Sequence, residues 1–211
     1  MKKTTLILVI LLACFSIQAQ NTNVKLGAKT GVNLSKYTPE KRIGNIIISE
    51  YQFKVGYYVG AYVNFFISDK IRIQPELLYS TQGTRIIIDN ITLTDANGMN
   101  IATGDFESTI NESTISIPVV LQYFLNEKFS LEGGPQFGYI INRKETLTGS
   151  LTHENPVIEK DYDKLDIGFN IGIGFDISKK LRVNSRYFLG LLERDDLAKP
   201  SIFSLGIEYH L

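Results

Sequence analysis

Eight segments of this 211-residue chain alternate apolar and polar side chains with a period of two, the spacing of a β-strand and not of a helix. From Val24 to Leu34 the even positions are Val24, Leu26, Ala28, Thr30, Val32 and Leu34, set against Lys25, Gly27, Lys29, Gly31 and Asn33. The pattern returns with the apolar set on odd numbers over 53–65, 71–79, 115–123, 129–139, 165–175, 181–189 and 203–211. Each segment is near the length of about 9–11 residues that a tilted strand needs to cross a bilayer.

The connections fall into two kinds that take turns along the chain. Ser68-Asp69-Lys70, Asn126-Glu127-Lys128 and Ser178-Lys179-Lys180 are tight polar turns, whereas the links between them are far longer than ordinary hairpin loops. In an antiparallel meander this puts every short turn at one end and every long loop at the other. The expected fold is therefore all-β: an eight-stranded antiparallel up-and-down transmembrane β-barrel with short periplasmic turns and long extracellular loops. An even strand number returns both ends of the barrel domain to the periplasmic side.

Alternation alone does not say which face meets lipid. The polar face carries Gly27, Gly31, Gly56, Gly60, Gly134, Gly138, Gly168, Gly172, Gly174, Gly190 and Gly206 among its charges. The bore of an eight-stranded barrel is only just wide enough for side chains, so glycine there makes room for Arg72, Arg182, Arg186, Tyr58 and Tyr62. On an exposed surface the same glycines would weaken the strands and pack nothing. The apolar face carries Tyr57, Tyr79, Tyr123, Tyr139, Tyr187 and Tyr209, several near strand ends, where amphipathic rings suit the lipid headgroups. The rival is a soluble sandwich or lipocalin-like binder with those aromatics as its core. Pro75, Pro118 and Pro135 fall inside the strands, and each implies a bulge or a lost ladder bond.

The first twenty residues read as an address. Lys2 and Lys3 precede an apolar run from Leu6 to Phe15, and Ala19 offers a cut site, which makes residues 1–19 a signal peptide and residues 20–211 the barrel domain. Lipid attachment at Cys14 is the rival reading of the same stretch. Cleavage after Ala19 would remove Lys2, Lys3 and Cys14 and leave 20 basic against 22 acidic side chains and no cysteine. Such neutrality argues against nucleic acid as a partner, and 23 aromatic residues argue against disorder. Two His and one Cys are too few for a zinc site or a disulfide framework, so no metal and no cofactor is expected.

Candidate chemistry concentrates on the polar face. Lys54, Arg72, Glu76, Glu132, Asp166, Arg182, Arg186 and Glu208 would point into the bore, where isolated charges are costly and pair instead. The plain reading is a structural charge network that plugs the lumen; the rival is an ion path or narrow transport pore. Which acid meets which base depends on strand register. His153 falls in a long loop and His210 on the last strand beside Glu208. Ser204, Glu208 and His210 lie on one strand and point in parallel, about 6.5 Å apart per step, which is no catalytic triad. No catalytic residue is assigned, and a barrel-type enzyme remains only as an alternative. The external loops 84–111 and 141–163 carry apolar runs and an Asn97-Gly98 turn signal that would extend strand pairs as hairpins; they either offer a surface to a protein or surface ligand or merely cap the barrel.

Several segments together resemble a known family. Val24–Leu34, Gly60–Phe66 with its turn, Gln74-Pro75-Glu76-Leu77-Leu78-Tyr79-Ser80, Ile117-Pro118-Val119-Val120-Leu121-Gln122-Tyr123 and Glu132-Gly133-Gly134-Pro135 are similar to small outer-membrane β-barrel proteins of Bacteroidota, often labelled porin family or PorT-like. The resemblance covers essentially the whole chain after the leader. Leu211 stands where an aromatic end is usual, although Tyr209 keeps the alternation. It implies a cell outer-membrane location, outer-membrane lipid and the assembly machinery as partners, and Gln-Pro-Glu-Leu and Ile-Pro segments as habitual features. The expected role is a monomeric, non-enzymatic barrel that is structural or serves surface interaction or assembly, with a part in secretion implied by the PorT-like label.

Overall fold

The computed structural model describes residues 24–39, 41–43, 46–95, 97–149, 157–158, 162–194 and 198–211. The expected leader, Cys14 and His153 lie outside them. Eight antiparallel strands close into a ring: β1 (Val24–Thr38), β4 (Lys54–Phe66), β5 (Ile71–Thr94), β6 (Asn100–Phe124), β7 (Phe129–Thr148), β9 (Leu165–Asp176), β10 (Leu181–Gly190) and β11 (Lys199–His210), with β11 returning to pair with β1. Three short strands sit outside the ring. β2 (Lys41–Ile43) pairs with β3 (Ile46–Gln52), which lies on the edge of β5, and β8 (Val157–Ile158) lies on β7.

The short turns form because their polar side chains take up backbone donors. Asn126 Oδ1 accepts from the N–H groups of Lys128 (2.9 Å) and Phe129 (2.8 Å). Ser178 Oγ accepts from Lys180 (3.3 Å) and Leu181 (3.1 Å). Such local bonds stand in for the ladder where the chain reverses. With the turns set, the alternation decides the faces. Val59, Ile171 and Leu205 are 51%, 49% and 49% exposed on the outside, whereas Arg182 and Glu208 are fully buried on the axis. A soluble barrel requires the reverse, so the lipocalin-like alternative does not hold.

Glycine makes this inversion fit. A methyl group on Gly27 would overlap the Tyr62 ring, one on Gly31 or Gly206 would overlap Tyr58, and one on Gly174 would overlap the Arg182 guanidinium. In a bore this narrow, each large inward side chain needs a facing residue with none. The prolines interrupt the ladder without shifting it. Direct pairing skips the positions opposite Pro75 on β4 and opposite Pro135 on β6, yet the register is the same on either side. The expectation of a bulge or a lost bond resolves to lost pairing, because a missing N–H removes one donor but inserts no residue. The bulge in the β6–β7 ladder lies elsewhere, between Ser113 and Thr114.

Three strands run well past the apolar belt. β5, β6 and β7 hold 24, 25 and 20 residues, against 10 in β10. The 25 residues of β6 span about 80 Å at the usual rise, far more than a bilayer needs. Much of what the sequence presents as long loops is thus continued hairpin, with β5 paired to β6 as far as Thr94 and Asn100. Its tip is tied by Asp95, whose Oδ1 accepts from the N–H of Met99 (2.8 Å) and Asn97 (2.9 Å). Those backbone donors, Met99 first, hold the Asp95 carboxyl below the usual carboxylate range. Gly98 occupies the left-handed region at φ +81° and completes the reversal.

Candidate functional site

The bore holds two layers of charge, and strand register decides their membership. The layer nearer the short turns joins Lys29 of β1, Glu76 of β5, Glu132 of β7, Arg182 and Arg186 of β10, and Glu208 of β11. Lys29 Nζ donates to both Glu76 oxygens (3.1 Å each) and to Glu208 Oε1 (2.9 Å). Arg186 bridges Glu132 Oε2 (2.6 Å) and Glu76 Oε1 (2.7 Å), and Arg182 Nη2 donates to Glu132 Oε1 (2.7 Å). Arg182 also bonds Asp176 and Ser130, and Asn184 bonds Glu208. Gln74 donates to Glu76 Oε1 (2.8 Å) and accepts from Gln122 Nε2 (2.9 Å). Three cations and three carboxylates balance in a site removed from water, which is the condition for such a cluster to be tolerated.

The outer layer gathers around Glu112 and Asp166. Arg194, from the connection between β10 and β11, reaches Asp166 Oδ1 at 2.9 Å and Glu112 Oε1 at 3.5 Å with its side chain almost fully buried. Tyr37 donates to Glu112 Oε1 (2.7 Å), Gln82 Nε2 to Glu112 Oε2 (3.3 Å) and Asp166 Oδ2 (3.4 Å), and Arg143 Nε stands 3.7 Å from Glu112. Above it Tyr37, Tyr51, Ile110 and Ala198 form a small apolar core, with the two tyrosine rings 5.8 Å apart. Between the layers lies a cavity of about 50 Å³ lined by Asn33, Ser80, Gln82, Ser116, Gln136 and Asn170, among others.

The eight charged residues picked from the sequence divide among four levels. Glu76, Glu132, Arg182, Arg186 and Glu208 meet in the inner layer, and Asp166 joins the outer one. Arg72 sits at the short-turn mouth, 3.5 Å from Asp176, with its guanidinium over the Phe124 ring (3.9 Å). Lys54 is half-buried at the outer rim and joins no ion pair among the described residues. Sequence reasoning missed Lys29, Glu112, Arg143, Asp176 and Arg194 as network members. Lys29 and Asp176 were visible on polar faces, but only register reveals their partners; Arg194 belongs to a connection with no alternation to place it.

The histidine and serine of the last strand are occupied separately. His210 Nδ1 meets the Tyr62 hydroxyl at 2.8 Å, and Ser204 donates to Asn33 Oδ1 at 2.8 Å. No nucleophile–base pair forms between them. Among the described residues, no group of three or more His, Cys, Asp and Glu side chains could hold a metal ion. On the outer face Tyr57, Tyr123, Tyr139 and Tyr209 are exposed, while Tyr79 and Tyr187 are half-buried. Tyr123 and Tyr209 lie by the short turns; Tyr57 and Tyr79 lie toward the other end, with ring centroids 6.4 Å apart.

Residues 18–193 match the family model described as outer membrane protein beta-barrel domain. No curated protein matches the sequence. Among solved structures, the chain is similar to Ail, the attachment invasion locus protein of Yersinia pestis, at 15% identity and a TM-score of 0.47, covering 90% of this chain and 100% of that one. It is similar to Neisserial surface protein A at 8% identity and a TM-score of 0.47, covering 87% and 96%. OprG of Pseudomonas aeruginosa follows at 10% identity and a TM-score of 0.40, covering 89% and 94%.

Proposed function

Because the chain belongs to the outer membrane protein beta-barrel domain family, and so resides in the outer membrane, we propose that it is a non-enzymatic barrel with a plugged lumen that carries an interaction sheet above the membrane. The observation that supports this most directly is the pairing of a balanced ionic cluster in the bore with strands that continue far beyond the belt. An eight-stranded ring already lacks the width of an aqueous channel, for which about 16–18 strands are usual. Its remaining space is taken by Lys29, Arg182, Arg186 and their carboxylates. The external strands of β5, β6 and β7, with β3 and β8 on their edges, then form the part available to a partner. A place among the small PorT-like barrels of Bacteroidota, with a role in surface assembly or secretion, fits this arrangement.

Planar-bilayer recording of the full chain tests the plugged lumen: silence is expected, and steady single-channel steps would replace this reading with a narrow pore. The absence of catalysis is tested with a panel of ester, peptide and phospholipid substrates. Turnover that disappears in His210→Ala would make the protein a barrel enzyme instead.

A further inference from the structure

We propose that the outer face of β1, β11, β10 and β9 is a binding site for one phospholipid of the periplasmic leaflet, with an acyl chain in a groove over Ser185 and its phosphate at Lys180. The belt is not uniform there. Two successive cross-strand rows read Val32–Leu205–Ser185–Ile173 and Thr30–Ile207–Val183–Phe175, and Phe129 of β7 extends the second. Ser185 and Val183 are the short side chains in the middle of longer neighbours. They leave an apolar depression of about 630 Å³ bounded by Val32, Leu205, Ile207, Ile173, Phe175 and Phe129. The side chains that bound it lie on the outward parity of their strands, so the depression opens to hydrocarbon, while the inward-parity residues Gly31, Gly174, Asn184 and Gly206 also line it.

What fills it follows from its surroundings. In a membrane, a concave apolar strip is covered by lipid chains unless a protein covers it. The next row toward the short turns is Ala28–Tyr209–Leu181, and Lys180 follows directly, with Nζ 5.8 Å from the Tyr209 ring centroid. Lys179 is exposed beside it in the same turn. The groove therefore leads from a chain-sized apolar channel to a cation fixed over an interfacial aromatic, the arrangement that a phosphate headgroup complements. Thr30 spends its hydroxyl on the Tyr58 carbonyl (2.9 Å), so this polar group inside the groove does not oppose a hydrocarbon occupant. Short turns are the periplasmic ends of outer-membrane barrels, which assigns the leaflet.

The test is native mass spectrometry of the full chain, purified in detergent and incubated with phosphatidylglycerol as the probe. One retained lipid per barrel is expected. Ser185→Phe fills the depression and should cut retention at least tenfold, with Ser185→Leu as the milder variant if the first assembles poorly. Lys180→Ser should abolish the preference for phosphatidylglycerol over diacylglycerol while leaving some chain binding. Leu77→Phe, exposed on β5 across the ring from β10, should change neither. The shift of unheated sample on SDS gels verifies that each variant is a closed barrel. Equal retention by Ser185→Phe, or no preference in the parent chain, overturns the site. Disulfide-linked dimers of Ser185→Cys in lipid vesicles would also overturn it, by showing a second copy of the chain in the groove.

Discussion

Gly206 has no side chain because the Tyr58 hydroxyl occupies the place where one would go. The glycine pattern was legible in the sequence as a need for space, but not as a set of partners, since Tyr58 and Gly206 are far apart in the chain. Gly206→Ala should lower stability by about 1–3 kcal/mol, the usual cost of overpacking. Urea unfolding in lipid vesicles would measure it, and the loss should shrink when Tyr58→Leu is added. Simple additivity of the two changes would mean that the residues do not compete. Arg182 makes the opposite argument, because it is present where nothing else could serve. It contacts Glu132, Asp176 and Ser130, and its removal leaves carboxylates facing one another. Arg182→Met should therefore cost about 3–5 kcal/mol, as removal of one partner from a buried ionic cluster does. A loss below 1 kcal/mol in the same assay would show that water already reaches this layer.

At the scale of strands, the period-two segments located all eight ring members, because each must present one face to hydrocarbon and one to the bore. Where that demand ends, the signal ends too. Arg85-Ile86-Ile87-Ile88 does not alternate, yet β5 continues through it, held by pairing to β6 and, at 85–87, to β3. Neighbouring strands and not a lipid boundary stabilise this part, so sequence periodicity could mark its start but not its length. The distinction yields a prediction. Replacing residues 88–106 with a two-residue Asn-Gly turn removes only paired hairpin beyond the belt and leaves the ring ladder from Ile71 to Ile87 in place. The shortened chain should keep the heat-dependent gel shift of a closed barrel and lose under 1 kcal/mol in urea unfolding. Failure to close would show that the hairpin nucleates the β5–β6 pair.

For the molecule as a whole, closure turns a local pattern into a barrier in series. The inner layer spans five strands, from Lys29 on β1 to Glu208 on β11, and forms only once β11 has come round to β1. The outer layer depends instead on a connection, since Arg194 enters from the segment between β10 and β11 and is held by Asp166 and Glu112. These two kinds of support should separate experimentally. Arg194→Ala frees the connection at its outer end, so limited proteolysis near residues 191–198 should quicken on intact cells or vesicles. The bore should nevertheless stay silent in planar bilayers, because Lys29, Arg182 and Arg186 with Glu76, Glu132 and Glu208 still fill it one level below. Faster cleavage without conductance is the outcome that two independent layers require. Steady conductance in Arg194→Ala would instead mean that the inner cluster lets ions pass and that the external connection alone closes the barrel.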